Sequence, residues 1–155
     1  MREGFRLRLA LLNDLESILA LERSSPEAPQ WSEAVWRSIL TGETTAPMRA
    51  VFVAEGCERI VGFVVASCLR EVGELESVAV AETERRQGVG RALCSQALIW
   101  ARGQGAEVTE LEVRAGSAVA GALYRSLGFV EQRRRPHYYH DPVDDAVVMV
   151  LQLSR

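Results

Sequence analysis

The chain has 155 residues, 48% of them hydrophobic and 25% charged, with a formal net charge of −3, which suits a single globular domain over 1–155. That balance argues against a disordered chain and against a protein that coats nucleic acid. The longest apolar run, 60–69, has ten residues, too few to span a bilayer, and the opening Met1-Arg2-Glu3-Gly4 has no signal-peptide core. A cytoplasmic protein with no membrane partner and no nucleic-acid partner is expected, as a monomer or homodimer.

Residues 5–9 alternate apolar and charged side chains, the pattern of a first strand. Asn13 or Asp14 can cap a helix carrying Leu15, Ile18, Leu19 and Glu22 at helical spacing. Pro26 and Pro29 mark a loop, and Ser32 can cap a second helix with Val35, Trp36, Ile39 and Leu40 on one face. Trp31 and Trp36 read as core or wall residues, with a peptide-lining role open to Trp31. The runs 51–54 and 60–66 flank Glu55-Gly56-Cys57-Glu58-Arg59 and predict a β-hairpin, followed by a strand over 75–80. A helix over 88–102 ends at Gly103 and Gly105. A strand over 108–113, a helix over 118–127 stopped by Gly128, and strands over 129–134 and 147–153 complete the chain, with 135–145 read as a polar loop. The fold class is α+β with a mixed sheet, in which 75–80, its helix and 108–113 form a parallel βαβ crossover.

The most informative stretch joins Val78-Ala79-Val80 to Arg85-Arg86-Gln87-Gly88-Val89-Gly90-Arg91. It reads as a strand end, a charged loop and the first turn of a helix. A helix start offers unpaired backbone N–H groups, and its dipole favours negative charge. Gly88 and Gly90 let an anion approach the backbone, and Arg85, Arg86 and Arg91 add positive charge, so the stretch suits a pyrophosphate. A tight turn is the plainer reading of the glycines alone. A P-loop would need Lys-Ser/Thr after Gly90, where Arg91-Ala92 stands. A Rossmann loop would need a small residue at Leu93 and a glycine directly after the strand, whereas seven residues, 81–87, intervene. Glu112 sits where a ribose-binding acid would fall, so that reading stays as a minor alternative, and the antiparallel meander ahead of the loop argues against it.

Arg85-Arg86-Gln87-Gly88-Val89-Gly90 also fits the pattern Arg/Gln-x-x-Gly-x-Gly/Ala at every defined position, and further segments follow it. These are Leu111-Glu112-Val113-Arg114, Ala122-Leu123-Tyr124-Arg125-Ser126-Leu127-Gly128-Phe129, Tyr138-Tyr139 and Asp145-Ala146-Val147-Val148-Met149. In order and spacing the chain resembles the GNAT N-acetyltransferases, and among them the RimI-type protein N-terminal alanine acetyltransferases. The resemblance is strong over 75–151 and looser over 1–74.

The resemblance implies a mostly antiparallel sheet whose two central strands splay apart to admit acetyl-CoA as acetyl donor. It implies that Val78, Ala79 and Val80 pair with the pantetheine chain, and that Arg85, Arg86, Gln87, Gly88, Val89, Gly90 and Arg91 hold the pyrophosphate. Ser117 stands where the family usually has Asn toward the cofactor. Glu112 reads from pattern alone as a solvent-facing strand residue, and the resemblance makes it the general base. Tyr124 reads from pattern alone as a core tyrosine, and the resemblance makes it the general acid for the departing thiolate. Trp31, Tyr138 and Tyr139 are the candidates for the acceptor groove, although Pro136 and His137 replace the family's usual Arg-Asn before the tyrosine pair.

No metal site is expected. His137, His140 and Asp141 lie in a polar stretch, and Cys57, Cys68 and Cys94 are odd in number and lack Cys-x-x-Cys spacing, which suggests reduced thiols. Cys94 reads as buried, against a ping-pong acetyl-cysteine route. The expected activity is acetyl transfer to a protein or peptide N-terminus, such as that of a ribosomal protein, by direct attack in a ternary complex. The alternatives are the same chemistry on a small amine or a lysine, and a non-catalytic acyl-CoA sensor.

Overall fold

A computed structural model describes residues 4–43, 46–85 and 87–153. Its elements in chain order are β1 (Arg6–Leu9), α1 (Leu15–Arg23), α2 (Glu33–Thr41), β2 (Met48–Gly56), β3 (Arg59–Leu69), β4 (Val72–Val80), α3 (Val89–Gly103), β5 (Val108–Arg114), α4 (Ala118–Ser126), β6 (Val130–His140) and β7 (Val143–Gln152). The Ser32 side chain accepts the Val35 N–H at 3.2 Å and starts α2, as expected from its position. Asp14 holds the equivalent place before α1 but does not cap it. Its carboxylate instead accepts the Leu11 N–H at 2.7 Å and the Arg8 guanidinium at 2.9 and 3.0 Å.

The seven strands form one sheet in the order β1-β2-β3-β4-β5-β7-β6, antiparallel except for the β4–β5 pair. A fold of the expected α+β class results, with α3 as the crossover between the parallel strands. One face buries Phe52, Val64, Leu75, Leu111 and Met149 against Leu93, Cys94 and Ala97 of α3, with Leu123 and Tyr124 of α4 packed alongside. The opposite face buries Val51, Val53, Phe63, Val65 and Ala79 against Ile18 and Leu19 of α1 and Trp36 of α2.

The β4–β5 ladder is short. It contains Val72↔Val108, Gly73↔Thr109 and Glu74↔Glu110, after which β4 continues to Val80 along β3 and β5 continues to Arg114 along β7. Gly73 permits the close approach at this junction, since a Cβ there would meet Ala101 Cβ and Thr109 Oγ1 at 3.3 Å. The last rung sets Glu74 directly beside Glu110, and like charges opposite one another disfavour further pairing. Beyond it the strands part, and α3 begins at the open end.

The stretch 135–145 is not a loop. β6 runs on to His140 and β7 starts at Val143, with Tyr139↔Asp144 and His140↔Val143 paired. Nearly all of β6 is exposed, so it lacks the buried face that would print an alternating pattern on the sequence. Its register shifts between Arg135 and Tyr139, where Pro136 and His137 interrupt the ladder. Among the described residues no helix is long and apolar enough to cross a membrane.

Candidate active site

The site is built on the gap between β4 and β5. Ala81 donates its N–H to the Val61 carbonyl at 2.8 Å, and antiparallel alternation turns the peptide groups of Ala79 and Ser77 toward β3 as well. The N–H and C=O groups of Val78 and Val80 therefore face the gap, where β5 does not reach them. Ala79 differs from its neighbours, with its side chain in the core beneath α1 and α2. The Arg85 Nε donates to the Val80 carbonyl at 3.3 Å.

Gly88 precedes α3 with φ +84°, a left-handed conformation that costs an L side chain about 1–2 kcal/mol. Its carbonyl accepts the Ala92 N–H at 3.0 Å, which leaves the N–H groups of Val89, Gly90 and Arg91 without helical partners, and no side chain caps them. A Cβ on Gly88 would meet nothing within 4 Å, whereas one on Gly90 would point inward, at 3.5 Å from Leu123 and 3.6 Å from Val80. Val89 is buried and anchors the turn. Gln87 is half-buried and Arg85 exposed. The Arg91 guanidinium donates to Ser126 Oγ at 2.6 Å. Arg86 lies outside the described residues.

Glu112 and Tyr124 stand on opposite faces of the sheet. Glu112 alternates with Leu111 and Val113 of the α3/α4 core and so projects to the α1/α2 face. Its Oε2 lies 3.1 Å from Arg135 Nε. Arg135 stacks over Tyr138 at 5.5 Å, Tyr138 meets Tyr139 edge-on at 5.2 Å, and Arg114 stacks over Tyr139 at 4.3 Å. Burial pushes the Tyr139 phenol above its ordinary range, and the carboxylates of Glu112 and Glu27 add to the effect. Tyr124 packs against Phe129 on the α3/α4 face, at 6.0 Å between rings. Burial holds its phenol well above 10, with Cys94 and Glu27 contributing. Glu27 lies in the loop between α1 and α2. Its loop ends in Trp31, half-buried and 5.2 Å from Trp36.

Cys94 is fully buried and its thiol is pushed up to about 12 by burial, which suits packing and not nucleophilic attack. Among the described residues no three His, Cys, Asp or Glu side chains gather as a metal site.

Residues 12–129, most of the chain and all of the gap except its β6–β7 wall, match the acetyltransferase (GNAT) family. The chain belongs to that family. It is 37% identical to the ribosomal protein bS18-alanine N-acetyltransferase of Escherichia coli K12 over 98 residues, 62% of this chain and 66% of that protein, just under two thirds of its length. It is 32% identical to an N-alpha-acetyltransferase of Sulfurisphaera tokodaii over 96% of this chain and 93% of that one. The crystal structure of the E. coli ribosomal-protein-S18-alanine N-acetyltransferase superposes with a TM-score of 0.82 at 29% identity, covering 97% of this chain and 95% of that one.

Acetyl-CoA is the donor of GNAT acetyltransferases, and this GNAT chain has groups that fit it. The turned-out backbone of Val78 and Val80 offers donors and acceptors along the gap. The unpaired amides of Val89, Gly90 and Arg91 offer an anion seat at its end. Ser117 Oγ is buried with no hydrogen-bond partner among the described residues, and Ser117 sits just after β5, at the start of α4. An orphaned buried hydroxyl carries a cost that a ligand group can relieve.

Sequence reasoning did not single out Arg135 or Glu27. Arg135 was one of three consecutive arginines; the β5–β7–β6 register aligns Arg133 with Glu112, and Arg135, two residues along, makes the contact diagonally. Glu27 carried no signal beyond lying between two prolines.

Proposed function

We propose that this acetyltransferase moves the acetyl group of acetyl-CoA to the N-terminal α-amine of a protein, with Glu112 as general base and Tyr124 as general acid. The observation that carries the reading is their disposition: one on each face of the sheet, at the gap left where the β4–β5 ladder stops. Acetyl-CoA supplies an activated thioester. In this reading the amides of Val89, Gly90 and Arg91, with Gln87 and the nearby arginines Arg85 and Arg86, hold its pyrophosphate. The peptide groups of Val78 and Val80 hold its pantetheine arm, and Ser117 offers a further hydroxyl.

The acceptor approaches from the α1/α2 face, where Trp31, Tyr138 and Tyr139 form walls. Glu74, Glu76, Glu110 and Glu112 share that approach. Burial followed by the charges of Glu76, Glu112 and Glu110 pushes the Glu74 carboxyl up, a sign of dense negative potential that suits a cationic N-terminal segment. Glu112 takes one proton from the amine, and Arg135 gives the carboxylate a partner that an incoming ammonium must displace or share. Tyr124, buried and protonated through the alkaline range, gives its proton to the departing sulfur.

An α-amine with pKa about 8 is roughly a tenth neutral at pH 7, whereas a lysine near 10.4 is neutral only at about the 10⁻³–10⁻⁴ level. One carboxylate is therefore a more adequate base for an N-terminus than for a lysine. The names of the E. coli and S. tokodaii relatives point the same way. Incubating the protein with acetyl-CoA and a peptide panel, read by mass spectrometry, tests it. Acetyl groups on peptide α-amines are expected. Acetylation confined to lysines or small amines would overturn the acceptor assignment, and donor binding without thiol release would make the chain a sensor.

A further inference from the structure

The α1 helix hides a carboxylate that neither the donor gap nor the proton carriers use. Glu22 is 1% exposed, yet none of the described ion pairs includes it. Three neutral donors satisfy it instead. The backbone N–H groups of Gln30 and Trp31 reach Oε2 at 3.0 and 3.1 Å, and the Trp36 indole N–H reaches Oε1 at 2.9 Å. A buried charge without a countercharge is a poor way to fill a core. It is a good way to satisfy two successive amides of an irregular segment that no strand or helix pairs.

That segment is the α1–α2 loop. Gln30 sits in the left-handed region at φ 66°, and its side-chain amide donates to the Glu22 carbonyl at 2.7 Å and the Ser25 carbonyl at 2.8 Å. The loop is thereby closed on itself around one side chain. From there the packing runs inward: Trp31 on Trp36 at 5.2 Å, Trp36 on Phe63 at 5.2 Å, and Phe63 paired in register with Ala79 of β4.

We infer that Glu22 is a positioning residue for the acceptor: its buried carboxylate fastens the α1–α2 loop so that Trp31 stands at a fixed place against Trp36 on the α1/α2 face. The inference rests on the acceptor side proposed above and concerns how that side is held. Its effect should fall on acceptor capture and leave donor binding alone, because the proposed pyrophosphate seat, at the start of α3, lies on the opposite face of the sheet.

Glu22→Gln keeps the shape but puts an NH2 where one carboxylate oxygen received an N–H. The variant is compared with wild type by amide hydrogen exchange, by acceptor-peptide kinetics and by acetyl-CoA calorimetry. Exchange at Gln30 and Trp31 should accelerate. The acceptor KM should rise by about tenfold or more, the scale of one charge-assisted hydrogen bond, while kcat and acetyl-CoA affinity stay near wild type. Faster exchange with an unchanged acceptor KM would reduce Glu22 to a fold-stabilising residue, as would unchanged exchange and kinetics. If Glu22→Gln does not fold, Gln30→Ala decides, since it removes only the side-chain bonds of an exposed residue to the Glu22, Ser25 and Ala28 carbonyls: a raised KM supports the inference and an unchanged one overturns it. If wild type ignores peptides but acetylates a small amine, the acceptor reading fails separately, and the same KM comparison with that amine decides for Glu22.

Discussion

Two glycines, one residue apart, should answer oppositely to the same methyl group. At Gly88 the φ of +84° makes alanine strained by about 1–2 kcal/mol, and the stiffer unfolded chain returns about 0.4–1 kcal/mol. A Cβ there meets nothing within 4 Å, so no packing gain offsets the strain. Gly88→Ala should therefore lose about 1 kcal/mol, a fall in Tm of about 2–4 °C for a chain of this size. At Gly90 the backbone is already helical, and the added Cβ makes ordinary contacts at 3.5 and 3.6 Å with Leu123 and Val80. Gly90→Ala should gain about 0.5–1 kcal/mol from helix propensity and raise Tm by about 2 °C. Calorimetry with acetyl-CoA completes the test. Gly90→Ala should bind near the wild-type affinity because its methyl points into the core, and Gly88→Asp should fold yet lose binding because a carboxylate faces the open side. If Gly90→Ala were as destabilised as Gly88→Ala, the assignment of strain to position 88 alone would fail. If folded Gly88→Asp bound acetyl-CoA normally, the turn would not be the pyrophosphate seat.

Glu112→Gln should lower turnover by ~10²–10³ at pH 7, with the loss shrinking toward pH 9.5 as the amine loses its proton unaided; an equal loss at both pH values would make Glu112 a positioning group. Tyr124→Phe should lower turnover by about 10²-fold with acetyl-CoA affinity kept and no relief at high pH, since burial keeps the phenol protonated there; a fully active variant would return Tyr124 to the core. Arg135→Met should lower the acceptor KM by no more than about fivefold, because an ion pair between partners 46% and 29% exposed is worth at most about 1 kcal/mol; a raised KM would show that Arg135 itself holds the acceptor. Asp14→Asn should cost about 1.5–3 kcal/mol at pH 7 by removing the two-pronged Arg8 contact, which leaves Arg8 with Glu55 at 3.1 Å, and by weakening the Leu11 contact. The Asp14 carboxyl is held below its ordinary value chiefly by the Arg8 hydrogen bond, so its stabilisation is present above about pH 4 and lost as pH falls through the lowered folded value. Denaturant unfolding of both proteins should show the gap closing only in acid.

The β2–β3 hairpin, the crossover through α3 and the stop at Gly128 were legible because buried periodicity and left-handed glycines leave marks on local sequence. Gly88 was legible for the same reason. The continuation of β6 and β7 through 135–145 was not, since residues 135–138 are exposed and have no apolar face to alternate with. Asp14 had the residue type and place of a cap, but Arg8, six residues earlier, competes for its carboxylate and wins with a charged bond. Glu22 read as one more helix residue beside Leu19. Its three donors come from eight, nine and fourteen residues downstream, a closure that only the folded loop creates. Arg135 and Glu27 were illegible for the same reason: pairing across strands and loops has no period.

The short β4–β5 junction makes the protein mechanically two panels. β1 to β4 form one and β5, β7 and β6 the other, joined in the sheet by three residue pairs. Shear between them is resisted by that seam and by α3, whose first turn belongs to the proposed donor seat. An extended chain lying along Val78 and Val80 would act as a removable batten across the open part of the seam. If the donor lies there as proposed, its occupancy stiffens the sheet and fixes the spacing of the proposed acceptor walls, which sit on different panels, so donor before acceptor is the binding order expected from where the ladder stops.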